Sequence, residues 1–152
     1  MNARRRKSKK PSAASSKPQH KEYTLFIERN LGKHVVADCL REAGAKVEIH
    51  DDHLAPDAPD EKWISLVGRR HWVAITQDKY IRYRVAEKLA IIDHKARVLV
   101  VRAKNMTGKE KGELLASAIP AIQRFTNENK APFVAGIDRS KKIYAYELKE
   151  SN

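Results

Sequence analysis

The chain is short of cysteine, aromatic residues and long apolar runs, and each shortage excludes a class of protein. One cysteine occurs in 152 residues, and aromatic residues make up 7% of the chain. Because Cys39 stands alone, it can neither close an internal disulfide nor complete a thiolate zinc site, which fits a reducing cytoplasm. No apolar run reaches the roughly 18 residues that cross a bilayer, and the basic N-terminus lacks the apolar segment of a secretory signal. We therefore expect a cytoplasmic protein without a membrane partner.

The glycines and histidines of this chain do not form the sequence motifs that several enzyme classes require. The glycines form no phosphate-binding loop, since Thr107, Gly108 and Lys109 lack the spacing of a Walker motif. No histidine lies near a serine or cysteine in a way that indicates nucleophilic catalysis. The carboxylates remain as the main candidates for chemistry.

Positive charge is concentrated at the N-terminus. Residues 1–21 carry eight of the 31 Lys and Arg residues and none of the 19 Asp and Glu residues, so they contribute most of the net charge of +12. This composition cannot bury enough apolar area to fold alone, and residues 1–21 are predicted to be a disordered basic leader. Two interpretations of the leader stay open: attraction to phosphate backbones, or a non-specific solubilising role. Residues 22–150 are predicted to form one domain.

Apolar patterns after the leader predict alternating strands and helices. Short β-rich apolar runs alternate with segments whose apolar residues recur at helical spacing. Asp60 and Thr107 are predicted helix N-caps, with Glu110 completing a capping box at Thr107. The alternation predicts an α/β fold, a three-layer α/β/α sandwich with a mainly parallel central sheet. The predicted strands are residues 23–27, 46–49, 72–76, 97–101, 133–137 and 143–146, and the predicted helices are residues 33–43, 60–70, 85–94 and 108–129.

Three acidic residues stand at equivalent places in this pattern. Asp78 follows the predicted strand 72–76, Glu28 ends the apolar run 25–27, and Asp60 opens a helix. Right-handed crossovers collect the strand-to-helix loops of a parallel sheet at one edge, where open α/β sheets bind ligands. We therefore predict that these three carboxylates meet at that edge.

Carboxylates without a cysteine cluster suit a hard cation such as Mg²⁺ or Mn²⁺, which prefers oxygen ligands. Such an ion can orient a water as nucleophile and neutralise charge on a phosphodiester. Glu61, next to Asp60, and Asp52, past the second predicted strand, are additional candidate ligands. The His-Asp-Asp-His order of residues 50–53 also leaves open a separate transition-metal site, against an ordinary polar loop.

Three short motifs contain the candidate acids: FIERNLG at residues 26–32, DEKW at residues 60–63 and TQDK at residues 76–79. In this order and spacing they resemble PIN-like domains, above all the VapC-type toxins of toxin–antitoxin modules, over about residues 23–147. The resemblance implies a parallel α/β/α sheet, metal-dependent endoribonuclease activity, and Glu28, Asp60 and Asp78 as the catalytic metal ligands. Glu28 departs from the family pattern, which usually has Asp there, and its extra methylene can shift the metal.

Candidate RNA contacts lie close to these acids in the sequence. Arg82 and Arg84 offer guanidinium forks for phosphate, and Tyr83 offers a ring on which a base can stack. Thr107 and the helix N-terminus beyond it can bind a phosphate, although capping alone also explains that sequence.

The sequence thus predicts a Mg²⁺-dependent endoribonuclease that is the toxin of a type II toxin–antitoxin module. Its implied partners are an RNA substrate, a cognate antitoxin and a second copy of the chain in a homodimer. Two alternatives stay open. One is a non-catalytic PIN-like module that binds RNA or protein, motivated by Glu28 and by the lack of a fourth acid. The other is a DNA-directed metal-dependent nuclease.

Overall fold

The computed structural model describes residues 21–148, in which six strands alternate with five helices. The predicted leader, apart from residue 21, lies outside the described residues, as do residues 149–152. No helix within residues 21–148 is long and apolar enough to span a membrane. The elements are β1 Leu25–Ile27, α1 Lys33–Glu42, β2 Val47–Ile49, α2 Asp60–Arg70, β3 Val73–Thr76, α3 Val85–His94, β4 Arg97–Arg102, α4 Gly108–Ser117, α5 Ile119–Glu128, β5 Phe133–Asp138 and β6 Ile143–Ala145, with a short 3-10 turn, His50–Asp52, after β2.

The sheet has the strand order β2-β1-β3-β4-β5-β6. The pairs from β2 to β5 are parallel, and β6 pairs antiparallel with β5. The predicted mainly parallel α/β sheet is therefore confirmed. The order reverses direction between β1 and β3, and at such a switch point the loops beyond the carboxyl ends of the strands separate and leave a crevice. This crevice is the expected place for a ligand.

Helices cover both faces of the sheet because the central strands are apolar on both sides. Leu25 and Ile27 of β1 belong to a buried cluster with α1, α4 and α5, whereas Phe26 belongs to a second cluster with α2 and α3. Side chains alternate between the faces of a strand, so one three-residue strand serves both layers. All three side chains are at most 1% exposed, and each contributes roughly 1.5–3 kcal/mol on burial.

Two features of the helices differ from the predictions. The single helix predicted over residues 108–129 is wrong, since the chain breaks at Ala118 into α4 and α5. Pro120 lies in the first turn of α5, where its missing N–H does no harm, whereas inside a continuous helix it would remove a hydrogen bond. The N-cap of α2 is Pro59 rather than Asp60, which is the first helical residue. The predicted capping box at Thr107 is confirmed.

Candidate active site

Glu28 and Asp78 lie on either side of the switch point, and Thr76 joins them. Glu28 follows β1 and donates its backbone N–H to the Ile75 carbonyl of β3 at 3.0 Å. The Thr76 hydroxyl donates to Glu28 Oε1 at 2.9 Å and accepts from the Asp78 backbone N–H at 3.1 Å. Thr76 is fully buried. A short hydrogen-bonded chain thus fixes the two predicted acids relative to each other.

Glu28 is a buried carboxylate with few ways to move. Its side chain is 6% exposed, and its second oxygen, Oε2, accepts the backbone N–H of Asn30 at 3.1 Å. Burial raises the pKa of Glu28 above its ordinary value; the hydrogen bonds from Asn30 and Thr76 lower this pKa, and the nearby charge of Asp60 raises it again. The charge of Asp60 thus reaches the Glu28 carboxylate. Both oxygens of Glu28 already accept hydrogen bonds from the chain.

Asp60 and Asp78 face the same cation. The Asp60 Oδ1 atom accepts the indole N–H of Trp63 at 3.0 Å, while its Oδ2 atom lies 3.9 Å from Arg84 Nη2. The same Nη2 atom donates to Asp78 Oδ2. Asp78 Oδ1 accepts the Tyr80 backbone N–H at 3.0 Å. The first turn of α2 and the loop after β3 therefore present two carboxylates to one positive group.

Arg84 is also held by a third acid. It is the N-cap residue of α3, and its Nε atom donates to Glu87 Oε2, one helical turn later, at 2.8 Å. The pKa of Arg84 is raised above its ordinary value, first by the hydrogen bond to Glu87 and then by the one to Asp78. The guanidinium is thus committed to contacts with carboxylates of its own chain.

The side-chain types at this site suit a divalent metal, whereas their arrangement in this structure does not form a complete set of ligands. Within residues 21–148, no three His, Cys, Asp or Glu side chains are grouped so that they could hold a metal ion as they stand. The cation that does lie at these acids is the Arg84 guanidinium, which contacts Asp78 and lies 3.9 Å from Asp60. The donors are nonetheless all carboxylate oxygens, which suit a hard cation. Asp60 and Asp78 already share one cationic neighbour, the Arg84 guanidinium.

The additional candidate ligands lie on the surface near this edge. Glu61 is exposed beside Asp60, and Asp52 is exposed on the 3-10 turn after β2. The two histidines of residues 50–53 have separate surroundings. His50 is buried, with its Nδ1 atom lacking a hydrogen-bond partner, whereas His53 Nε2 lies 2.7 Å from Glu48 Oε1. No metal-binding group forms around these histidines in the described part of the chain.

The predicted RNA contacts have three different surroundings. Arg82 is stacked between two tyrosine rings, with its Cζ atom 4.3 Å from the centroid of Tyr83 and 4.0 Å from that of Tyr146. Tyr83 is 62% exposed, so its outer face is open for stacking. Arg84 contacts the acids described above. The Thr107 hydroxyl accepts the Glu110 backbone N–H at 3.1 Å and so is used in capping α4.

A groove of about 760 Å³ opens beside Asp78 at the carboxyl ends of β3, β4 and β5. Its cations bond to neutral groups: Arg102 donates to the Tyr146 hydroxyl at 2.6 Å, Lys111 donates to Gln77 Oε1 at 2.6 Å, and Arg139 donates to a backbone carbonyl. The groove therefore presents a strongly positive surface next to the acidic cluster. The basic residues that line it are Lys79, Arg102, Lys104, Lys111 and Arg139.

Sequence reasoning missed Thr76 and the groove. Thr76 is the first residue of the TQDK motif, two residues before Asp78, and its contact with Glu28 arises only from the pairing of β1 with β3. The groove cations come from the loop after β3, from the end of β4 and the loop after it, from α4 and from the turn after β5. No local motif connects such distant positions, so only the topology reveals the groove.

Comparison with known proteins agrees with this architecture. The sequence profile of the family described as a PIN-like domain matches residues 24–103. A protein of Mycobacterium tuberculosis strain H37Rv, named "Putative ribonuclease VapC45", is 26% identical over 121 residues, which cover 77% of this chain and 87% of the relative. No solved structure matches the chain. Because the profile covers more than half of the 152 residues and the fold agrees with it, the chain belongs to the PIN-like domain family.

Proposed function

We propose that the protein is a metal-dependent endoribonuclease that hydrolyses RNA phosphodiesters. The observation that carries the proposal is the convergence of Glu28, Asp60 and Asp78 at the sheet's switch point, directly beside a cationic groove. Membership of the PIN-like family and the name of the mycobacterial relative support the same activity.

Asp78 and Asp60 would hold a Mg²⁺ or Mn²⁺ ion, with Glu28 as the third carboxylate. When bound, such an ion would neutralise charge on a phosphodiester and orient a water for attack. The protein's own contribution is to hold the carboxylates in place. Thr76 fixes Glu28 to the loop that carries Asp78. Gln77 ties that loop to the β1 side, since its amide donates to the Asn30 carbonyl at 2.8 Å.

The groove and the exposed tyrosines would position the RNA strand. Lys and Arg side chains attract successive phosphates, and aromatic rings stack unpaired bases. Tyr80 and Tyr83 are 55% and 62% exposed, and they lie in the segment that leads from Asp78 to α3. Thr107, at the N-terminus of α4, is a further candidate phosphate contact if its cap rearranges. This combination favours a single-stranded substrate over a base-paired one.

Removal of one carboxylate charge tests the activity. Asp78→Asn keeps the size of the side chain, so we expect the fold to persist and cleavage of single-stranded RNA in Mg²⁺ to be lost. Asp93→Asn is the matched control, because Asp93 is exposed in the last turn of α3. Equal cleavage by wild type and Asp78→Asn would overturn the assignment. Parallel assays with structured RNA and DNA would identify a DNA-directed nuclease.

The biological setting proposed is a type II toxin–antitoxin module acting in the cytoplasm. The support is the similarity to a protein whose name places it among the VapC ribonucleases. The partners would be a cognate antitoxin and a second copy of the chain. If this is correct, a neighbouring small gene should encode a DNA-binding protein, and its co-expression should relieve growth arrest caused by this chain. Arrest that persists with the neighbour, or no arrest at all, would contradict the toxin role.

A non-catalytic PIN-like module that binds RNA or protein is the second candidate. It is favoured by two observations: both oxygens of Glu28 are engaged by the chain, and Arg84 contacts Asp60 and Asp78. Calorimetry with Mn²⁺ separates the two functions. Binding that Asp78→Asn abolishes supports the nuclease, whereas no binding at millimolar metal supports the module.

A further inference from the structure

We propose that Arg84 is an internal cation that competes with the divalent metal for Asp60 and Asp78, so that the metal binds only when this guanidinium leaves. This inference rests on the proposed metal-dependent function. It gives Arg84 a role other than the contact with RNA phosphate that its sequence position predicts.

The geometry places one nitrogen of Arg84 at both carboxylates. Its Nη2 atom is in hydrogen-bond contact with Asp78 Oδ2 and lies 3.9 Å from Asp60 Oδ2. The other oxygens of the two acids already accept hydrogen bonds: Asp78 Oδ1 from the Tyr80 backbone N–H, and Asp60 Oδ1 from the Trp63 indole N–H. The Oδ2 atoms are therefore the ones that face the shared cation. A metal held by Asp60 and Asp78 would compete with the guanidinium for these carboxylates, so the two cations would exclude each other.

Glu87 would still hold the Arg84 guanidinium after its release from Asp60 and Asp78. The Nε atom of Arg84 donates to Glu87 at 2.8 Å, a contact within α3 that does not depend on either Asp. The Arg84 side chain is 42% exposed, so it can rotate toward solvent without opening the core. Release of the Nη2 atom therefore leaves one ion pair intact. Arg84 can therefore alternate between two positions. In one it contacts both Asp78 and Glu87, and in the other it contacts Glu87 alone.

The consequence is a weakened apparent metal affinity. A metal that must displace this charge-assisted hydrogen bond would bind about tenfold more weakly than it would at the free carboxylates, since hydrogen bonds between charged groups are stronger than neutral ones. A long-range effect of charge alone is smaller, because exposed charges are screened by solvent and salt. Substituting Arg84 and Arg82 separately therefore distinguishes the effect of direct contact from the effect of long-range charge.

Arg82 provides the matched control. It lies two residues from Arg84 and carries the same charge, but it is stacked on Tyr83 and Tyr146. Mn²⁺ affinity is measured by calorimetry for the full chain and for Arg84→Gln, Arg84→Lys and Arg82→Gln. We expect about tenfold tighter binding by Arg84→Gln, an intermediate gain for Arg84→Lys, and less than about a threefold change for Arg82→Gln. Equal or weaker binding by Arg84→Gln than by Arg82→Gln would overturn the proposal, as would no Mn²⁺ binding by any of them.

A second measurement observes Arg84 directly in the wild-type chain. The Nε–H signal of Arg84 in a proton–nitrogen spectrum should shift on titration with Mg²⁺, with the same midpoint as metal binding, while the Arg82 signal stays in place. An Arg84 signal that ignores saturating Mg²⁺ would contradict displacement. RNA cleavage by the wild type separates the two proposals. Cleavage without tighter binding by Arg84→Gln defeats only this inference, whereas tighter binding without cleavage defeats only the proposed nuclease function.

Discussion

The charged side chains in the two halves of the carboxyl edge of the sheet have different kinds of bonding partner. On the β1–β3 side, Glu28, Asp60 and Asp78 each contact donors from the chain, and Arg84 compensates part of their charge. On the β3–β5 side, the groove cations bond to a hydroxyl, an amide oxygen and a backbone carbonyl. None of the ion pairs in residues 21–148 includes a groove cation.

This difference indicates the charge of the external partner that each half of the edge can bind. A cation that bonds only to neutral atoms keeps its full attraction for an anion outside the protein. An acid that is already compensated binds a new cation only by exchange. Under the proposed function, the basic half would be ready for a polyanion, whereas the acidic half would first have to release Arg84 before it could bind a metal. Four changes test this contrast, in order of decreasing expected effect.

Thr76→Val should have the largest effect, because it removes the hydroxyl that connects Glu28 with the Asp78 loop. Partners that orient metal ligands typically change activity by about 10–100-fold, so we expect a loss of that size in RNA cleavage. Thr126→Val is the control, since that hydroxyl is equally buried but donates to the Ile122 carbonyl in α5. Equal cleavage by the two variants would show that Thr76 only supports the fold.

Removal of two groove charges should weaken RNA binding without changing metal binding. For Lys104→Gln with Lys111→Gln, we expect roughly tenfold weaker binding of single-stranded RNA and a salt slope smaller by about 1.4, since each phosphate contact contributes about 0.7. Binding is measured in EDTA by fluorescence anisotropy. The control removes the same charge at Lys46 and Lys130, which are exposed and do not line the groove. An equal loss in the control would mean that net charge, not the groove, attracts RNA.

Gly136→Ala should perturb the basic half through packing. A Cβ atom at this position in β5 would lie 2.6 Å from the Tyr146 hydroxyl and 2.9 Å from the Tyr144 ring. Overpacking of this kind costs about 1–3 kcal/mol, and it would move Tyr146 away from Arg82 and Arg102. Thermal unfolding measures the loss.

Gly108→Ala is the control for that change, because the nearest atoms to its added Cβ lie 3.9 Å away. We expect an unfolding temperature close to that of wild type for this variant. A similar decrease in both variants would exclude crowding against the tyrosines as the cause.

Glu28→Gln should have the smallest effect, and it should appear in the pH dependence of stability. Because burial raises the pKa of Glu28 above its ordinary value, the native state holds this proton more tightly than the unfolded state, and the wild type loses stability as the pH rises from 4.5 through the native pKa. The glutamine amide stays neutral but turns an N–H group toward either the Asn30 N–H or the Thr76 hydroxyl, which adds a cost that does not depend on pH. Without metal, we expect the unfolding temperature of the variant relative to wild type to be higher at pH 8 than at pH 4. Glu42→Gln, at an exposed position of α1, is the control. A pH-independent difference would mean that Glu28 is not the group responsible.

The fold and the position of the acids follow from local patterns, whereas their partners do not. Apolar runs and helical periodicity predict the parallel sheet, and right-handed crossovers then bring Glu28, Asp60 and Asp78 to one edge. The direction of the Arg84 side chain depends on the path of residues 79–84, for which the sequence offers no periodicity. Pro120 predicts the split of the last helix. Within a long helical pattern, a proline is therefore a stronger indication of a helix boundary than the length of the pattern is of a single helix.

Metal dependence of RNA cleavage tests the central claim most directly. A single-stranded RNA is incubated with the full chain in EDTA, and Mg²⁺ is then added in excess. We predict no cleavage in EDTA, cleavage after Mg²⁺ is restored, and none at any point with Asp78→Asn. Cleavage that continues in EDTA, or that survives in Asp78→Asn, would contradict the account of a carboxylate edge that exchanges its internal cation for a metal.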